Sequence, residues 1–118
     1  MSSRAIPLSA HAAIEMFAAP AIMVAPFVLG FGSAATAISV ALGVVLLGLA
    51  LQVEGPRRAV PLGAHADFDY ALATVALAGG VAVGLSAGEW SAAIFLVGVG
   101  VAQIALTART RFSAVRVA

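Results

Sequence analysis

Apolar residues run almost without a break through four stretches, roughly residues 10–30, 33–52, 67–86 and 89–107, and polar residues gather between them. Each stretch has close to the ~20 residues that an α-helix needs to cross the hydrocarbon of a bilayer. The sequences "GFGSA" at 30–34 and "LSAGEW" at 85–90 combine turn-forming Gly with Ser, so each joins two of these stretches as an antiparallel pair. Between the pairs, "EGPRRAVPLG" at 54–63 carries both charge and Pro/Gly punctuation and reads as a linker. The expectation is an all-α integral membrane protein with four transmembrane helices arranged as two tandem hairpins. It is one domain: a first repeat over about 10–52, a linker over 53–64, a second repeat over about 65–107 and a tail over 108–118. Arg4 before an apolar run has the look of a signal peptide, but His11 and Glu15 interrupt that run and three more spans follow.

Composition agrees with this pattern. The chain is 63% hydrophobic and 9% charged, with a mean hydropathy of +1.12, against about a quarter charged residues in a soluble domain. In water nearly every side would be an aggregating apolar patch. Cysteine is absent, which removes disulfides and thiolate metal sites. Lysine and asparagine are absent too, and the Ala, Gly, Val and Arg bias fits GC-rich bacterial coding. All six basic residues, Arg4, Arg57, Arg58, Arg109, Arg111 and Arg116, fall before the first span, between the hairpins or after the last one. An even number of spans puts those three regions on one side, and the positive-inside rule makes that side cytoplasmic. The sequence therefore reads as multi-pass in a bacterial cytoplasmic (inner) membrane, with both ends in the cytoplasm. Phe31 and Trp90 fall at the outer ends and Phe68, Tyr70 and Phe112 at the inner ends, where interfacial aromatic belts belong.

Helices pack closely in lipid through small residues spaced four apart. Ala35, Ser39 and Gly43 form such a stripe on the second span, Ala76, Gly80 and Gly84 on the third, and Ser91, Gly98, Ala102 and Ala105 on the fourth. These stripes serve either the bundle itself or contact with another subunit. Pro20 and Pro26 remove backbone donors from the first span, freeing the carbonyls of Met16 and Ile22 and predicting a kink.

The two halves overlay at an offset of 54: His11 on His65, Ala12 on Ala66, Glu15 on Asp69, Ala19 on Ala73 and Gly30 on Gly84. This is a parallel repeat, with its axis along the membrane normal. "APFVLGFGSAATAISVALGVVLLGLAL" at 25–51 resembles one unit of the SPW-repeat family of small bacterial membrane proteins. There a two-helix repeat carries Ser-Pro-Trp followed by Val-Leu-Gly. Here the triplet is Ala25-Pro26-Phe27 with Val28-Leu29-Gly30 after it, and the second half has Gly79-Gly80-Val81 instead. The resemblance implies a four-helix membrane protein and brings no activity with it.

Phosphate loops, HExxH, GxSxG and zinc spacings are all missing, so no enzyme is expected. One constellation remains: "HAAIE" at 11–15 and "HADFD" at 65–69, each a histidine with an acid one helical turn later. Such pairs ligate a divalent cation or relay a proton. The plainer expectation is that Glu15 and Asp69 sit in the first turn of their helices, favoured by the positive dipole end, with Ser9 or Asp67 as caps. On that reading each histidine meets its own acid and no resident metal, haem or other cofactor is expected. The alternative is one shared site formed by His11, Glu15, His65 and Asp69. Span centres hold only Thr36, Ser39, Thr74 and Gln103, which gives no line of polar groups for an ion. Arg57, Arg58, Arg109 and Arg111 are placed to meet anionic lipid, at about 1 kcal/mol per charge. A net charge of +1 excludes an extended nucleic-acid surface. The leading expectation for function is a structural or accessory protein, partnered by the bilayer and by other membrane subunits or copies of itself; a small transporter or channel subunit, or a metal- or haem-binding protein, is the alternative.

Overall fold

A computed structural model describes residues 5–54 and 61–112. Four helices follow one another: α1 (Leu8–Leu29), α2 (Ser33–Glu54), α3 (Leu62–Ala87) and α4 (Trp90–Ala108). All four are long and apolar enough to cross a membrane. At about 1.5 Å rise per residue, the shortest spans nearly the ~30 Å hydrocarbon. Large apolar side chains point outward along them, with Phe17 83% exposed and Leu85 76%, an arrangement that lipid satisfies and water does not.

α1 packs along α2 and α3 along α4, and the hairpins meet mainly through α2 and α3. Gly30 and Gly88 end α1 and α3 with φ values of 72° and 67°, the left-handed conformation that only glycine adopts freely. The two turns are tied to each other, because the Glu89 carboxylate accepts the Gly32 N–H at 3.0 Å. Phe31 also lies against Phe95, with ring centroids 5.6 Å apart. At the opposite end a two-residue strand β1 (Ile6–Pro7) pairs in parallel with β2 (Thr110–Arg111), and the Ile6 N–H donates to the Arg109 carbonyl at 3.0 Å. The start of α1 and the end of α4 therefore lie together, as an even number of crossings requires.

The kink-prone stretch of α1 is satisfied by its neighbour. Pro26 leaves the Ile22 carbonyl without its helical donor, and the buried Ser39 hydroxyl of α2 donates to that oxygen at 2.6 Å. The small-residue faces hold the hairpins closed. Ala35, Ser39 and Ala76 are fully buried. A side chain at Gly43 would meet the Ala19 carbonyl and Met23, one at Gly80 the Ala93 carbonyl and Val97, and one at Gly84 the Trp90 ring. On α4 the expected stripe is displaced. Ser91, Gly98 and Ala102 are exposed and Ala105 is only half buried; the buried face is Ala92, Ala93, Leu96, Gly100, Gln103 and Thr107. The reason is Gly100, which lies over the Ala73 carbonyl and Leu77 as Gly43 lies over Ala19. The second helices thus match at an offset of 57 (Gly43 to Gly100), not 54, because α3 is the longer first helix. That rotation turns Gly98 and Ala102 away from α3.

Candidate metal centre

Both first helices begin immediately after a proline. Pro7 and Pro61 occupy the N-cap positions with φ of −69° and −58°, and neither helix has a side-chain cap or an acid in its first turn. The first-turn expectation for Glu15 and Asp69 is corrected here, and so are the caps: Ser9 and Asp67 are exposed. Because α1 starts at Leu8, Glu15 sits about 10 Å along the helix, beyond the reach of its dipole end. The two histidines lie one turn nearer the start, and every member of both pairs is on the inward face, in line with Ala19, Ile22 and Pro26 on α1 and with Ala73, Ala76 and Gly80 on α3.

His11, Glu15, His65 and Asp69 converge, with one ligand atom from each lying within 4.8 Å of all the others, and all four residues are buried. The contacts run across the hairpins as well as along each helix. His11 Nε2 is 2.9 Å from Asp69 Oδ2 and 3.2 Å from Glu15 Oε2. His65 Nε2 is 3.2 Å from Asp69 Oδ2 and 3.3 Å from Glu15 Oε1. Each imidazole therefore meets both acids and not just its own, so the pairs make one site.

Other side chains surround this quartet. Gln103 of α4 donates from Nε2 to Glu15 Oε2 at 2.9 Å and makes a longer contact of 3.5 Å to Thr107 Oγ1. Thr110 of β2 lies 2.7 Å from His11 Nδ1 and donates its own hydroxyl to the Leu106 carbonyl at 2.6 Å. Phe112, half-buried at this end of the bundle, covers both imidazoles, with centroids 5.1 Å from His11 and 5.6 Å from His65. Asp69 Oδ1 is buried and has no hydrogen-bond partner among the described residues.

Chemically this is a buried set of two imidazole nitrogens and two carboxylates, edged by Gln103, Thr107, Thr110 and Phe112. Two ionised carboxylates carry two negative charges that burial opposes, so two units of positive charge must sit among them, as two added protons or as one divalent ion. Nitrogen and oxygen donors without sulfur suit Zn²⁺, Mn²⁺ and Fe²⁺. Asp69 Oδ1, which has no hydrogen-bond partner among the described residues, supplies a further ligand atom.

The remaining candidates lie elsewhere. Arg109, just before β2, and Arg111, within it, are exposed at the same end of the bundle, while Arg57 and Arg58 fall outside the described residues. No family model, no curated protein and no solved structure matches the chain.

The sequence singles out His11, Glu15, His65 and Asp69 as the alternative shared site but gives no contact to them from Gln103, Thr107 or Thr110. Under the 57-residue offset these three fall opposite Leu46, Ala50 and Val53 of the first hairpin. A polar residue in the second repeat where the first has an apolar one was the available signal.

Proposed function

We propose that this chain is a multi-pass membrane protein that holds one divalent transition-metal ion at the inner end of its bundle. His11 and His65 supply nitrogen ligands and Glu15 and Asp69 supply carboxylates. The observation that carries this reading is the convergence of the four buried ligand atoms from two hairpins within 4.8 Å. The quartet shares one end of the bundle with Arg109 and Arg111, and the positive-inside rule assigns that end to the cytoplasm of a bacterial inner membrane. Duplication of one hairpin, as kinship with SPW-repeat proteins would supply, accounts for a site built from two copies of a His-xxx-acid element.

The ion is resident, not in transit. Beyond the quartet the core continues as Ala19, Ile22, Ala76 and Leu96, and the Ser39 and Thr36 hydroxyls are committed to the Ile22 and Phe31 carbonyls. A transport path needs charged or polar groups near mid-membrane. The accessory role expected from the small-residue faces has less support, since Gly43, Gly80 and Gly84 pack inside the chain.

Equilibrium dialysis of the detergent-purified protein against Zn²⁺ and against Mn²⁺ tests the proposal. It should give one ion per chain, with Glu15→Gln and Asp69→Asn each weakening binding more than about 100-fold, beyond the 10–100-fold typical of losing an outer-shell partner. Absence of saturable binding, or binding that both variants leave intact, would overturn it.

A further inference from the structure

We infer that Thr110 is a positioning residue through which ion binding at the quartet and docking of the β2 segment are linked. The inference rests on the metal-ion reading above and assigns a role to a residue outside the four ligands.

The Thr110 hydroxyl has a single hydrogen and gives it to the Leu106 carbonyl at 2.6 Å. Towards His11 Nδ1, 2.7 Å away, its oxygen can only accept. Nδ1 therefore carries a proton, and a neutral His11 then presents the lone pair of Nε2 to the space between Asp69 Oδ2 and Glu15 Oε2. This is the arrangement of metal-bound histidines, whose distal N–H is held by an outer partner that fixes tautomer and ring orientation.

Thr110 does not belong to the bundle. It lies past the end of α4, placed by the pairing of Ile6 with Thr110 and by the bond from the Ile6 N–H to the Arg109 carbonyl. Two residues further on, Phe112 packs on both imidazoles. The segment Arg109–Phe112 thus reaches the site twice, by the Thr110 hydrogen bond to His11 and by the Phe112 ring on both imidazoles. Coupling between two binding events is reciprocal: a docked segment strengthens ion binding, and a bound ion holds the segment, with its exposed Arg109 and Arg111, against β1. The hydrogen-bonded link is one-sided, because the first hairpin has Val53 where the second has Thr110.

Two measurements test this together: Zn²⁺ affinity of the wild type, Thr110→Val, Thr110→Ser and Ser39→Ala, and hydrogen exchange of the Ile6 amide with and without saturating Zn²⁺. Thr110→Val should weaken Zn²⁺ about 10–100-fold, Thr110→Ser should restore binding, and Ser39→Ala, which loses a buried hydroxyl far from the quartet, should bind as the wild type does. Zn²⁺ should slow Ile6 exchange in the wild type and not in Thr110→Val. Wild-type affinity in Thr110→Val, or Ile6 exchange in the wild type that Zn²⁺ leaves unchanged, overturns the linkage while the metal site stands. A wild type that binds no Zn²⁺ overturns both. Should Thr110→Val fail to fold, the wild-type exchange measurement decides alone.

Discussion

At the scale of single residues the quartet is a problem of charge and protons. Its titratable members are His11 and Glu15 from α1 and His65 and Asp69 from α3; α4 and β2 contribute the neutral Gln103, Thr107, Thr110 and Phe112. A divalent ion entering this set displaces protons, since imidazole nitrogen must be free to ligate. Zn²⁺ affinity should therefore rise with pH, and calorimetry in buffers of different ionisation enthalpy should show about one to two protons released per ion. An affinity independent of pH would contradict the account. Gln103→Leu removes the donor to Glu15 Oε2 and should weaken the ion about tenfold or more. The four residues of the quartet were legible as a pattern because the repeat prints a His-xxx-acid pair twice in a chain with only two histidines. Their partners were not, because Gln103 and Thr110 reach them from 88 and 99 residues away, a distance no local pattern spans.

At the scale of elements, two prolines decided what the His/acid pairs do. The apolar runs alone place the helix starts near residues 10 and 67, which makes the acids helix-end groups. Pro7 and Pro61, themselves 54 residues apart, begin the helices earlier and carry the same acids into the bundle. Proline has the fixed φ of a helix start and needs no partner for a missing N–H, and this signal went unread beside the stronger apolar one. The packing glycines teach a related lesson. Any small residue fits a stripe on paper, and which stripe is used depends on the length of the preceding helix. Gly100→Val drives a side chain into the Ala73 carbonyl and Leu77 and should destabilise the chain by about 1–3 kcal/mol; Gly98→Ala, on open space, should be close to neutral in the same thermal unfolding assay. Ser39→Ala frees the Ile22 carbonyl and should cost about 0.6–1.7 kcal/mol, the range of interhelical hydrogen bonds in membranes. Equal effects for Gly98 and Gly100 would mean that α4 is rotated from its described face.

At the scale of the whole molecule, two hairpins are fastened at both ends, by the quartet at one and by Glu89 with Gly32 at the other. Between them α1 and α4 diverge around an apolar groove of about 390 Å³, lined by Ile14, Ala18, Phe95 and Val99 among others. The hairpin architecture was readable from run lengths and turn residues; the fastening was not, since it joins residues of different repeats. The proposed orientation has a direct consequence for reporter fusions. Reporter fusions after residue 118 should behave as cytoplasmic and fusions within residues 86–89 as external, and the reverse pattern would contradict the placement of the quartet on the cytoplasmic side. The central claim is that one ion is held by both hairpins at once, and X-ray absorption at the zinc edge of the Zn²⁺-loaded protein tests it most directly. Two imidazoles in the first coordination shell, completed by carboxylate oxygen, is the result this structure predicts; a shell with a single imidazole, or with oxygen alone, would show that the two His/acid pairs do not form one site.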